Sequence, residues 1–172
     1  LNLKPTQIEL AKFLFPTTVI EWLGNNDALV PALLGQLPAL TPIDAFTASY
    51  SQVLDELAKT HATLITANIP DVTEIPFFTS AQRIADQVHL PLETVTAMLG
   101  IGPGDYVRIT AQKYIDEIFT GQRTDPLPGA CPSPLAALTS SPVPCVLTAA
   151  DAATIRADIS CYNDVIAAQS AA

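Results

Sequence analysis

Apolar and polar positions along this chain change period several times, and each change predicts an element. Thr17–Leu23 (TTVIEWL) is rich in β-branched and aromatic residues and stops at Gly24, which reads as a buried strand ending in a tight turn, followed by a loop. From Pro42 to Thr60 the apolar residues Phe46, Tyr50, Val53, Leu54 and Leu57 recur at helical spacing, with Thr41 as the expected N-cap and Pro42 in the first turn. Ala62–Ile69 (ATLITANI) is a second short apolar run, closed by Pro70 and Asp71. Strand, helix and strand in that order form a βαβ unit, so the two strands are expected to be parallel with a right-handed crossover. Parallel strands bring the loops Gly24–Asp27 and Asn68–Thr73 to the same carboxyl edge of the sheet, where open α/β sheets bind ligands.

Beyond Thr73 the pattern turns helical. Short helices are expected around Ser80–Val88, with Ser80 as a cap, Leu92–Leu99 and Thr110–Thr120, broken by Pro91 and by the Gly100–Gly104 stretch. From Gly121 to Pro144 six prolines make a long loop, a composition that suits a lid, a binding loop or a tether. A final helix is signalled by Thr148 as N-cap with Asp151 three residues on, then Ile155, Ile159, Tyr162 and Ile166 at helical spacing. No internal repeat is visible.

Composition narrows the class. Of 172 residues 49% are hydrophobic, enough for one core of ordinary size. Only 8 Lys and Arg stand against 17 Asp and Glu, so the field over most of the surface should repel a phosphate backbone, and no nucleic-acid partner is expected. No apolar run approaches the ~20 residues of a membrane-spanning helix, so no membrane span is expected either. The chain has no initiator Met and no signal-peptide pattern, which implies that any targeting segment was removed or lay upstream. Cys131 and Cys145 bracket the Pro-rich loop, a spacing that allows a disulfide worth roughly 3 kcal/mol. The alternative is a pair of unpaired loop thiols, and Cys161 is either the odd one out or the true partner of one of them. An oxidising compartment, secreted or periplasmic, is expected.

The residues that point to chemistry are Gly24, Asn25, Asn26 and Asp27, directly after the first strand. An Asn at the mouth of a sheet can aim its side-chain amide at a developing oxyanion, and a neighbouring Gly lets the backbone turn sharply and offer an N–H of its own. The plainer reading is that Asn and Asp cap a turn and the helix after it. The run VIEWLGNNDAL resembles the third conserved block of the SGNH/GDSL hydrolases, Gly-x-Asn-Asp after a hydrophobic strand. Within that family it is similar to the bacterial lipase/acylhydrolase branch, in which Asn-Ile-Pro-Asp-Val-Thr follows about one helix later, here as Asn68 to Thr73. The likeness covers Leu3 to Phe78 and continues more loosely through LTAADAATIRADISCYNDVIAAQ, which is similar to the helix before that family's last catalytic strand.

The resemblance implies an α/β fold with a flavodoxin-like parallel sheet in three α/β/α layers. This chain would form one segment of that domain, a central βαβ unit with a mostly helical, Pro-rich cap inserted over residues 72–147. It implies a serine ester hydrolase of the carboxylesterase or lipase type, with no cofactor and no metal. Asn26 would be the side-chain donor of the oxyanion hole, Gly24 would shape the loop, and Asp27 would be a structural hydrogen-bonder. Asn25, Asn68 and Asp71 would border the substrate, a small-molecule or lipid ester. The family's Gly-Asp-Ser block, its second-block Gly and its Asp-x-x-His block are absent from the sequence. The serine and histidine are therefore expected on the remainder of the polypeptide, and this segment alone is expected to be inactive.

Other readings compete. His61, at the end of a helix before a strand, and His89, before Leu90-Pro91, are expected at surface or interhelical positions rather than as replacement bases. Gly-Asn-x-Asp is also similar to a metallophosphoesterase motif, but neither carboxyl-edge loop holds a His. Ile84–Val95 has the spacing of a helix-turn-helix, yet its second helix carries Glu93 and no basic residue, which favours a packing pair. The rival from another class is a noncatalytic α/β binding module, its apolar groove formed by Ile75, Phe77, Phe78, Met98 and Leu99.

Overall fold

The computed structural model describes residues 4–135 and 141–170. In chain order its elements are α1 (Gln7–Phe13), β1 (Thr18–Glu21), α2 (Asn25–Leu34), α3 (Ile43–Ala58), β2 (Thr63–Thr66), β3 (Phe78–Ser80), α4 (Ala81–Val88), α5 (Leu92–Leu99), β4 (Tyr106–Arg108), α6 (Gln112–Phe119), β5 (Ala130–Cys131), β6 (Val143–Pro144), β7 (Val146–Leu147) and α7 (Ala149–Ser170). The fold is mixed α/β with small sheets. It divides into two compact units, one of residues 1–28, 41–70 and 158–172 and the other of residues 29–40 and 71–157.

In the first unit β1 and β2 pair in parallel, Thr18 opposite Thr63 through Glu21 opposite Thr66, with α3 as the crossover. The βαβ expectation therefore holds, with both strands shorter than their apolar runs. One expectation fails: β1 is not buried on both faces. Val19 and Glu21 turn toward α3, whereas Ile20 stays 74% exposed. Burial of α3 follows its helical period, because Phe46, Tyr50 and Leu57 are all inside. Phe46 stacks on Tyr162 of α7 at 4.5 Å between ring centroids, and Ile159 and Ile166 continue the buried stripe of that helix. Lys12 of α1 reaches Glu56 of α3 at 2.6 Å.

Two N-terminal details differ from the sequence pattern. Gly24–Asp27 is not a free loop, because α2 begins at Asn25. Thr41 does not cap α3 either. Pro42 occupies the cap position without a side-chain bond, and the Thr41 hydroxyl donates instead to Asp27 Oδ1 at 2.7 Å. The bond to the Asp27 carboxylate directs the hydroxyl toward the start of α2, and no side chain caps α3.

The second unit holds α4, α5 and α6 at nearly the expected positions. Ile84, Ala85, Val95, Leu99, Ile115 and Ile118 converge in one core, so the helix pair resembling a helix-turn-helix spends its inner faces on packing. Ser80 accepts from the Arg83 amide as N-cap, and Thr148 accepts from the Asp151 amide at the start of α7. The unit also contains a three-stranded antiparallel sheet in the order β3-β4-β7. Strands of two or three residues carry too little periodicity to be read from sequence. Cys131 and Cys145 form a disulfide, with Cα atoms 4.9 Å apart, beside the β5-β6 pair, and Cys161 is free and exposed. The Gly121–Pro144 loop expected from the prolines includes residues 136–140, which lie outside the described ones.

Candidate functional site

The carboxyl end of β1 opens into a cleft of about 330 Å³, lined by Trp22, Leu23, Gly24, Asn25, Asn26, Asp27, Phe46, Ser49, Tyr50 and Val53. Its lining comes from two sources. The β1-α2 junction supplies the polar side, and successive turns of α3 supply Phe46, Ser49, Tyr50 and Val53, which lie three or four residues apart.

Gly24 is what allows the junction. Its φ is +96°, a conformation that side chains with a Cβ avoid, and a Cβ there would lie 2.7 Å from Ile69 Cδ1 and 3.0 Å from Phe46 Cε2. The chain therefore reverses against α3 without a side chain in the way, and the Asp27 amide donates back to the Gly24 carbonyl at 3.1 Å. Asn25, Asn26 and Asp27 form the first turn of α2, where main-chain N–H groups lack partners within the helix and the dipole favours negative charge. Asn26 is exposed and borders the cleft. Asp27 is anchored by Thr41, which keeps its carboxylate in a structural role.

Beneath the cleft lies a buried polar pair. Glu21, only 3% exposed, accepts the Tyr50 hydroxyl on Oε2 at 2.7 Å and the Leu23 amide on Oε1 at 3.0 Å. Burial and then the adjoining carboxylate push the Tyr50 phenol well above its ordinary 10, so Tyr50 stays protonated as a donor. The carboxylate thus fixes both the last turn of chain before Gly24 and the aromatic wall of α3.

Not all the residues singled out from sequence meet here. Asn68 is exposed at the end of β2 and uses its carbonyl to accept from Trp22 Nε1 at 3.2 Å; it is not among the lining residues. Asp71 belongs to the second unit, where it accepts from the Thr73 amide at 2.8 Å and from Arg156 Nε at 2.7 Å. Burial works against the Asp71 carboxylate, but the Thr73 and Arg156 hydrogen bonds outweigh it and hold its pKa below the ordinary value. Its oxygens are engaged by these structural contacts. His61 and His89 are exposed in the left-handed region, each with φ 55°, and His89 ends α4 there. Among the described residues no three His, Cys, Asp or Glu side chains converge where a metal could sit.

No family model, curated protein or solved structure matches this chain. The site must therefore be read from its own geometry. That geometry adds Phe46, Tyr50 and Val53, which the helical spacing gave only as one face of an amphipathic helix, and Ser49, to which the sequence pattern assigned no role. The available signal was Glu21, an acidic residue within an otherwise apolar strand, where burial demands a hydrogen-bonding partner.

Proposed function

We propose that this chain carries the oxyanion-binding part of a serine ester hydrolase, resembling the SGNH/GDSL lipases and esterases. The reading rests on one observation: Asn26 is exposed at the carboxyl end of a parallel strand, on the rim of a cleft with an aromatic wall. In this reading the Asn26 amide stabilises the tetrahedral oxyanion, and Gly24 sets the backbone turn. A serine and a histidine from the remainder of the polypeptide attack the ester carbonyl and shuttle the proton. Trp22, Phe46 and Tyr50 face a lipophilic part of the ester, and the absence of Lys or Arg from the lining favours an uncharged one. The β1-β2 pair is then the centre of a flavodoxin-like three-layer sheet, and the unit holding residues 71–157 includes its cap. The disulfide supports a secreted or periplasmic location.

The test is Asn26→Ala in the intact gene product, assayed on p-nitrophenyl esters. Removing one oxyanion donor should lower kcat by roughly 10²–10³ with little change in folding. An unchanged kcat removes Asn26 from the mechanism. Saturable ester binding without turnover in the intact product would replace hydrolysis with a noncatalytic binding role for the same cleft.

A further inference from the structure

The cleft does not end at its aromatic wall. Trp22 and Leu23, which line it, also line a second groove of about 270 Å³ between β1 and α1. Apolar residues make most of its remaining wall: Ile8 and Ala11 of α1, Val19 and Ile20 of β1, and Leu57 of α3. Two lining residues are polar. Gln7 lies exposed at the start of α1. Glu21 is buried, with one oxygen on the Tyr50 hydroxyl and the other on the Leu23 amide, so it offers a ligand no free charge. α1 itself buries none of its residues and is tied to α3 by the Lys12–Glu56 ion pair at 2.6 Å. On its other side the cleft continues over Ser49 and Val53 into a trough of about 480 Å³ between α1 and α3. Glu9, Lys12, Gln52 and Glu56 stand around that space. Covering charged groups with hydrocarbon costs free energy, so the two continuations accept different chemistry.

We infer that the groove between β1 and α1 is the site of an unbranched hydrocarbon chain belonging to the ester whose carbonyl lies in the cleft. The inference rests on the hydrolytic reading and adds to it which part of the substrate lies where. Continuity carries it. A chain leaving the carbonyl over Trp22 and Leu23 meets apolar walls, whereas the route over Ser49 and Val53 sets the same methylenes against Glu9, Lys12 and Glu56. Charge narrows the ligand further. Neither cleft nor groove is lined by a Lys or Arg, and the chain carries a formal net charge of −9, so a free fatty carboxylate is repelled and an uncharged carbonyl compound with the same chain is accepted. Ala11, the smallest side chain in the groove, controls its width, because a larger residue there narrows it.

Methyl alkyl ketones with chains from butyl to decyl test it on this chain, because they keep the uncharged carbonyl and cannot be hydrolysed. Binding is read by calorimetry and by the emission of Trp22, the single tryptophan, which is 59% exposed and borders both cleft and groove. Each methylene buried in the groove should tighten the dissociation constant about fourfold, at one molecule per chain and with a blue shift of Trp22, until the ligand outruns the groove. Ala11→Phe should abolish these steps and leave the affinity for the shortest ketone unchanged. Gln52→Leu, in the trough, should leave the steps intact. Affinity independent of length, or steps that survive Ala11→Phe and vanish in Gln52→Leu, overturns the inference. Ester hydrolysis by the intact gene product separates the two proposals. Fourfold steps without turnover keep the groove and remove the hydrolase; turnover without the steps removes the groove and keeps the hydrolase.

Discussion

Replacing Tyr50 with Phe isolates the buried pair beneath the cleft. The ring and its parallel stack on Phe46, 5.7 Å between centroids, are retained, so the perturbation is the loss of one hydroxyl. That hydroxyl donates at 2.7 Å to Glu21 Oε2, with Glu21 and Tyr50 each only 3% exposed. A hydrogen bond to a charged group contributes about 1.5–3 kcal/mol, and water has no ready access to replace the donor, so Tyr50→Phe should cost an amount in that range. The Leu23 amide still donates to Oε1 and keeps the cost from rising to that of an unpaired buried charge. The pH dependence gives a second signature. Because the Tyr50 pKa is raised in the folded state, its contribution is complete below pH 10 and is lost as pH rises past 10 toward the higher folded value. Urea unfolding followed by Trp22 emission at pH 7 and above pH 10 should show a full deficit in the variant at neutral pH and a shrinking one in alkali. A deficit below about 0.5 kcal/mol at pH 7, or one independent of alkaline pH, would refute the view that this bond organises the cleft.

Gly24→Ala should destabilise by about 2–5 kcal/mol, from about 1–2 for the positive φ and about 1–3 for overpacking against Ile69 and Phe46, read by thermal unfolding; a loss under about 1 kcal/mol would contradict the crowding. Changing both Cys131 and Cys145 to Ser opens a loop of sequence separation 14 and should cost roughly 3 kcal/mol in urea unfolding, while Cys161→Ser should be nearly neutral because that thiol is exposed. Arg156→Gln removes the partner of Asp71 at a half-exposed site, and after solvent screening about 1 kcal/mol should be lost near neutral pH. The folded pKa of Asp71 is lowered, so its contribution is present above the ordinary 3.8 and disappears as pH falls through the lower folded value; the variant should therefore lose less stability between pH 5 and 2 than the parent.

Long periodic segments were legible because period and burial follow from the same helix geometry. The face of α3 and the buried stripe Ile155, Ile159, Tyr162 and Ile166 of α7 could be read before any coordinates, as could the parallel sense of a βαβ order. The place of Asn26 at a carboxyl edge follows from that order alone. Local chemistry also predicted the Ser80 and Thr148 caps, since a hydroxyl three residues before an unpaired amide needs no tertiary help.

What the sequence left open depended on distant partners. Thr41 had the chemistry of a cap, but Asp27, fourteen residues earlier, claimed its hydroxyl. Asp71 looked free to meet a substrate until Arg156, eighty-five residues later, took its carboxylate. The β-branched and aromatic run that identified β1 could not say whether one face or both would be covered, because composition favours a strand without reporting what lies against each of its faces. The cleft belongs to the same class: Ser49 and Tyr50 lie beside Asn26 only because the reversal at Gly24 brings the start of α2 against α3.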